Sequence, residues 1–338
     1  MNSGPQICIY GAGSIGCYVG GRLQAGGASV SFVGRERLAK EIRANGLHLT
    51  DFLGADLSVK PADVRFDTTP AAAVNADLVL VTVKSAGTEQ AGQELAKVLK
   101  PDAVVVSFQN GLSNADVLRK HLTRQTVLTG MVPFNVVNRG QGKFHQGSEG
   151  ALEAERHEHL ERFLPLFEKA GLPLVTCTNM SEVLWAKLLL NLNNAINALS
   201  GIPLKAELSQ RAYRQCLALA QSEGLSLFDE AGIKPVKLTP IPPHWIPKLL
   251  GVPDFLFRLL ANKMLAIDPL ARSSMWEDLQ AGRTTEIDWI NGEVVKLAQK
   301  LGRRAPVNAR LIALIRNAEK GGRRQWPGDE LLAALREV

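Results

Sequence analysis

The chain has 338 residues, room for two domains of ordinary size, and 46% hydrophobic against 21% charged residues excludes a disordered polymer. With 39 lysines and arginines against 33 aspartates and glutamates, the net charge is +6. That excess suits nucleic acid, a phosphorylated cofactor or a carboxylate substrate, but no dense Lys/Arg stripe interleaved with aromatics speaks for nucleic acid.

In chain order, the apolar run Gln6-Ile7-Cys8-Ile9-Tyr10 leads into Gly11-Ala12-Gly13-Ser14-Ile15-Gly16, and a helix is expected from about Ser14 to Ala25. Strand, glycine-rich turn and helix in that order make a dinucleotide-binding fingerprint. Gly11 permits the tight turn, Gly13 lets backbone approach a pyrophosphate, and Gly16 lets helix and strand pack closely. The helix N-terminus then offers N–H groups to the phosphates. Apolar, β-branched runs at 28–33, 76–83 and 103–108 read as strands buried on both faces, with a helical pattern over 89–99 between the last two. Residues 127–132 add a strand, and 142–147 and 174–176 suggest shorter edge strands. Parallel βαβ topology is therefore expected as far as about residue 178.

The end of the second strand bears on the cofactor. An acidic residue there accepts bonds from the adenosine ribose. This chain has Val33-Gly34-Arg35-Glu36-Arg37, with Glu36 beyond the strand end. Arg35 and Arg37 could complement a ribose 2′-phosphate or be ordinary surface arginines; the expected cofactor is NADPH/NADP+. Lys84, just past the run at 76–83, could approach cofactor phosphate, ribose or substrate, or simply be solvated.

The character changes after Asn179. A long apolar helical pattern runs over 181–199, with Ser181 a candidate cap and Gly201-Ile202-Pro203 its end. Further helices are expected at 205–223, 272–281, 285–301 and 306–318. Six prolines punctuate 235–262, whose leucines and aromatics could cap a cleft, form a homodimer contact or extend the core. The expected architecture is an α/β Rossmann-type dinucleotide-binding domain over 1–178 followed by an all-α domain over 179–338. Cys8, Cys17, Cys177 and Cys216 are scattered without a C-x-x-C pair, which fits a reducing, cytoplasmic compartment. Neither a secretory signal nor an apolar run near the roughly 18 residues of a membrane span is evident. The six histidines form no convincing metal set, so no metal and no membrane or nucleic-acid partner is expected.

Several separated segments together resemble the ketopantoate reductase (2-dehydropantoate 2-reductase) family. They are Gly11 to Gly16, Val83-Lys84-Ser85, Gln109-Asn110-Gly111, Trp185-Ala186-Lys187-Leu188-Leu189-Leu190-Asn191, Arg272-Ser273-Ser274-Met275-Trp276-Glu277-Asp278 and Thr285-Glu286-Ile287-Asp288-Trp289-Ile290-Asn291-Gly292. They occur in family order and span nearly the whole chain. The resemblance implies NADPH-dependent reduction of a small 2-keto acid, ketopantoate, to the 2-hydroxy acid pantoate, with the site in the cleft between a nucleotide-binding and a helical domain.

It also implies roles. Lys187 corresponds to the catalytic lysine, able to stabilise the developing oxyanion and donate its proton. Its apolar neighbours could lower its pKa. Asn191, four residues on and on the same helical face, and Asn194 would bind the substrate, with Asn197 a possible substitute because the spacing departs from the family's by about one residue. Ser274 would serve the carboxylate, with Ser273 a neighbouring N-cap candidate. Glu286 would lie near cofactor and substrate and could hold Lys187 in position. Asn110 would touch both, and Lys84 would lie beside it; Gly11, Ala12, Gly13, Ser14, Ile15, Gly16 and Arg35 would hold the cofactor. Asp278 and Asp288 read as structural acids. Ala271 stands where the family often has an asparagine, which leaves a related reductase of another small 2-keto acid as the alternative. A noncatalytic NADP-binding sensor would not need Lys187 and Glu286.

Overall fold

The computed structural model describes residues 4–260 and 271–337. Its first unit, Met1–Met180, begins with β1 (Gln6–Tyr10), α1 (Ser14–Ala25), β2 (Ser29–Val33), α2 (Glu36–Asn45), β3 (Leu47–Asp51), β4 (Asp56–Val59) and β5 (Arg65–Asp67). There follow β6 (Leu78–Val81), α3 (Thr88–Leu95), β7 (Val104–Ser107), α4 (Asn114–His121) and β8 (Thr126–Met131). The unit ends with β9 (Val136–Gly140), β10 (Lys143–Gln146), β11 (Leu152–Glu155), α5 (Glu158–Glu161), α6 (Leu164–Lys169) and β12 (Leu174–Cys177).

The main sheet has eight strands in the order β12-β11-β8-β7-β6-β1-β2-β5. From β5 to β8 every pairing is parallel, which is the doubly wound order of a Rossmann-type sheet. β11 then runs antiparallel to β8 and parallel to β12. The order of strands, not their direction, reverses at β1, with β2 and β5 added on one side and β6, β7 and β8 on the other, so the turn after β1 opens at the switch point where such sheets bind ligands. β6 and β7 are buried at every position. Leu78, Leu80, Val104 and Val106 enter one core and Val79, Val81 and Val105 the other; this two-sided burial is why their sequences run apolar without alternation.

A second sheet, β4-β3-β10-β9, was not expected. The segment 142–147 reads as an edge of the main sheet, yet as β10 it pairs with β3 and β9. The cause lies in α1, which is packed on two sides. A Cβ at Gly20 would come within 2.5 Å of Ile9 and Phe32 of the main sheet, and one at Gly21 within 2.7 Å of Leu49 on β3. Buried Arg22 on the same helix donates to Tyr18 Oη and Asp51 Oδ2.

The second unit, Ser181–Val338, is helical among the described residues. α7 (Met180–Asn191) is followed by α8 (Asn193–Ser200), α9 (Leu204–Leu208), α10 (Arg211–Ala231), α11 (Ile246–Leu250) and α12 (Asp254–Leu260). α13 (Ser274–Gln280), α14 (Asn291–Lys300), α15 (Pro306–Glu319) and α16 (Gly328–Arg336) complete it. The single helix expected over 181–199 is broken at Leu192, where Gln221 of α10 donates to the Leu189 carbonyl at 3.0 Å. A side chain serving a helix carbonyl is a recognised cause of such a break. α7 begins at Met180, so Ser181 lies inside it and is not its cap. The pattern at 205–223 resolves into α9 and α10, and 285–301 into a 3-10 turn over Ile287–Trp289 and α14. The Pro-rich segment forms short helices; its residues 261 and 262 lie outside the described ones. No described helix is long and apolar enough to cross a membrane.

Candidate active site

In the first unit the glycine turn is fastened to the end of β2: the Gly11 and Ala12 N–H groups both donate to the Val33 carbonyl, at 2.9 and 2.8 Å. Gly11 has φ +99°, and a Cβ there would lie 2.4 Å from the Val83 nitrogen. A Cβ at Gly16 would lie 2.6 Å from Thr82 Oγ1 and 2.8 Å from Ile9. At Gly13 it would meet only the Gly11 carbonyl oxygen, at 3.8 Å. The first and third glycines therefore serve the packing, while the second keeps an open approach to the start of α1. Ser14 and Ile15 form the first turn there, and no side chain caps it. An open backbone cradle at an uncapped helix N-terminus fits a dinucleotide pyrophosphate.

Arg35 holds the N-cap position of α2, is exposed and makes no ion pair among the described residues. Glu36 faces Arg43 at 3.7 Å and Lys40 at 4.0 Å, and Arg37 lies 4.0 Å from Glu41. The acid in this loop is thus engaged along its own helix.

Lys84 is exposed and opens the 3-10 turn Ser85–Gly87. Ser85 Oγ donates to the Asn110 carbonyl at 2.9 Å, and Asn114 Nδ2 donates to the same oxygen at 2.5 Å. Gln109 Nε2 donates to Val83 O and Thr88 Oγ1, and Thr88 Oγ1 bonds Asn114 Oδ1 at 2.7 Å. This buried network draws the loops after β6 and β7 together, and with them Lys84 and Asn110 beside the glycine turn that abuts Val83. Sequence reasoning passed over Thr88 and Asn114 and gave Gln109 no role beyond its place in the Gln109-Asn110-Gly111 motif. The available signal was a polar residue at the start of each helix that follows these two buried strands, Thr88 for α3 and Asn114 for α4.

In the second unit Lys187 and Asn191 lie one turn apart on α7. Lys187 is half-buried by its surface, and desolvation lowers its ammonium from 10.5 to about 8. Neighbouring Trp185 packs edge-on to Phe228 of α10, with ring centroids 4.7 Å apart. Asn194 lies past the break at Leu192, so it does not simply continue the Lys187–Asn191 face; its carbonyl accepts from Ser273 Oγ at 3.2 Å. Asn197 cannot substitute for it. Its side chain is fully buried and donates to Ile202 O and Glu207 Oε2 while accepting from the Ser273 N–H. Ser273 caps α13, accepting from the Trp276 N–H at 3.2 Å, which leaves Ser274 exposed as the first helical residue. Glu286 is buried at the head of the 3-10 turn, its carbonyl accepting from the Trp289 N–H. Asp278 pairs with Arg283 at 3.0 Å and Asp288 with Arg316 at 2.6 Å.

Residues 7–159 match the family profile of ketopantoate reductase PanE/ApbA, and residues 179–319 match the profile of its C-terminal domain. The chain belongs to the ketopantoate reductase family. It is accordingly an oxidoreductase, and its glycine cradle is the one expected of a dinucleotide-dependent reductase. The crystal structure of a PanE/ApbA family ketopantoate reductase from Ralstonia eutropha is similar with a TM-score of 0.79 and 31% identity, covering 94% of this chain and 99% of that one. The 2-dehydropantoate 2-reductase of Archaeoglobus fulgidus is 28% identical over 94% of this chain and 98% of its own length. That of Halobacterium salinarum is 26% identical over 94% and 100%.

Proposed function

We propose that the protein reduces 2-dehydropantoate to pantoate with NADPH, and that Lys187 is the proton donor. The observation that carries this reading is the partly desolvated Lys187 one helical turn from Asn191, in a chain that keeps the glycine cradle. Gly11 to Gly16 would hold the pyrophosphate, Arg35 the ribose 2′-phosphate, and Lys84 and Asn110 the remainder of the cofactor beside the substrate. When bound, the nicotinamide supplies hydride to the C2 carbonyl.

The chain's own residues do the rest. Charge develops on the ketone oxygen, and the Lys187 ammonium stabilises it and donates its Nζ proton. A donor near pH 8 transfers a proton more readily than an ordinary lysine while remaining largely charged at neutral pH. The Asn191 and Asn194 amides and the exposed Ser274 hydroxyl would hold the acid, the last aided by the N–H groups at the start of α13. The buried Glu286 carboxyl would keep Lys187 oriented or accept from the new hydroxyl.

Ala271 favours a second reading, another small 2-keto acid. An alanine side chain makes no hydrogen bond, so a family contact to the substrate would be missing. A screen of 2-keto acids including ketopantoate, followed by nicotinamide absorbance with NADPH and NADH, tests both readings. Turnover that disappears in Lys187→Ala supports the proposed reaction. Cofactor binding without turnover on any acid overturns it.

A further inference from the structure

A buried acid outside this set bonds the side chain that meets the start of α13. Glu207 of α9 is fully buried, and its Oε2 accepts from Asn197 Nδ2 at 2.6 Å. Asn197 Nδ2 also donates to Ile202 O, so its Oδ1 is the atom left to receive the Ser273 N–H at 2.9 Å. Were the amide turned over, Asn197 would present oxygen to two acceptors and NH2 to a donor. Glu207, the shorter of the two contacts, and the Ile202 carbonyl together set which end of Asn197 meets Ser273. Two further bonds join the same corner to the chain leading into α13: the Leu204 N–H to Ala271 O at 2.9 Å, and Arg272 Nη1 to Gly201 O at 2.7 Å.

We propose that Glu207 is a positioning residue that fixes the Asn197 amide and, through it, the N-terminus of α13 that carries Ser274. The link to substrate binding rests on the reading of Ser274 given above.

Glu207 does this as a neutral acid. Among the described residues its Oε1 and the Asn193 Oδ1 are both buried without a hydrogen-bond partner. A proton on the carboxyl, donated to the Asn193 oxygen once that amide turns over, satisfies both atoms. No described cation bonds the carboxyl. α8 offers it the amides of Asn193 and Asn197, and α10 faces it with Tyr213 and Cys216. Lys205 on its own helix is exposed, and Arg272 is spent on Gly201 O and the Trp276 ring. Burial accordingly raises the carboxyl to about 8.

The test compares wild type, Glu207→Leu and Glu207→Gln, because glutamine reproduces one acceptor and one donor. Glu207→Leu should raise KM for the keto acid about tenfold, with kcat and KM for NADPH nearly unchanged, as expected for loss of one oriented hydrogen bond. Glu207→Gln should restore the wild-type KM. Amide exchange at Ser273 and Trp276 reads the same device without catalysis: protected in wild type and Glu207→Gln, loosened in Glu207→Leu. Wild-type protection at these two amides should also fall as pH rises from 4.5 to about 8, where the opened carboxyl has lost the proton that the buried one keeps, and level off above, whereas that of Glu207→Gln stays flat; this arm holds even where Glu207→Leu fails to fold. Unchanged protection in Glu207→Leu, a Glu207→Gln as defective as the leucine variant, or pH-independent wild-type protection overturns the proposal. A wild type that turns over no keto acid but shows the expected exchange pattern refutes the functional reading and leaves the positioning role supported.

Discussion

Gly11 and Val83 approach so closely that a Cβ on the glycine would lie 2.4 Å from the Val83 nitrogen, whereas a Cβ on Gly13 would meet only the Gly11 oxygen at 3.8 Å. The two glycines should therefore fail differently. Gly13 has φ −102°, which alanine adopts freely, so Gly13→Ala should melt like wild type yet bind NADPH at least about tenfold more weakly, its methyl group obstructing the pyrophosphate. Gly11→Ala combines a left-handed backbone with a clash and should lower stability by about 1–3 kcal/mol or more. Calorimetry paired with cofactor titration separates them. A Gly13→Ala protein with intact affinity would remove the cradle from the phosphate site.

Lys187→Ala should lower kcat by about 10²–10⁴ while leaving NADPH affinity unchanged, the range expected of a lost general acid. For wild type, kcat of reduction should fall as pH rises past about 8 and the ammonium empties. Stability moves the opposite way. Between about 8 and the ordinary 10.5, the unfolded lysine retains its proton while the folded one has lost it. The unfolded chain binds more protons there, and this residue's contribution to stability rises with pH. Denaturant titrations of wild type and Lys187→Met should diverge in that window by up to about 1.4 kcal/mol per pH unit. Parallel curves would mean that Lys187 is not desolvated.

Under the proposed function, Arg35 sets the choice of cofactor. Arg35→Ala should cut the NADPH over NADH preference in kcat/KM by about tenfold to a hundredfold, the value of a charge-assisted hydrogen bond. Arg37→Ala, removing a side chain that lies beside Glu41, should leave the ratio alone. A ratio unmoved by Arg35→Ala would transfer the 2′-phosphate to another group, with Lys84 next to be tested.

Strands buried on both faces announce themselves, so β1, β6 and β7 were legible in the sequence together with the glycine turn; β2 was legible as a strand, although its Ser29 and Ser31 are only partly buried. The smaller sheet was not: β3, β4 and β9 are half-exposed, and their reason for assembling is the far side of α1, which local pattern does not reveal. The shared face of Lys187 and Asn191, both singled out on the family motif, was legible because they fall within one continuous helix. The placement of Asn194 and Asn197 was not, because the helix breaks at Leu192 through a side chain of α10, thirty-two positions from the carbonyl it serves. Asn197 carries the same amide as Asn191, yet Glu207 and Ser273 consume it. Side-chain chemistry proposes such candidates, and burial with competing partners decides among them.

Arg214 anchors the Pro-rich segment. Its side chain is fully buried and donates to the carbonyls of Leu208, Leu250 and Val252 at 3.0, 3.1 and 2.7 Å. It also pairs with Asp254 at 2.8 Å and lies over the Phe257 ring at 4.2 Å. One guanidinium on α10 thus holds the ends of α9 and α11 and the start of α12. Arg214→Met keeps the apolar stem but strands three carbonyls and a carboxylate, and breaking such a buried arrangement costs about 3–5 kcal/mol. At about 2–4 °C per kcal/mol for a unit of this size, the melting temperature should fall by roughly 6–20 °C. Proteolysis should become faster within 242–257 before it does elsewhere, since that segment loses its strongest tie to α10. Lysine in place of arginine should rescue little, because a single ammonium cannot reproduce the planar fork that reaches three carbonyls at once. A wild-type melting temperature for Arg214→Met, with unchanged cleavage in 242–257, would show that helix packing alone holds the segment.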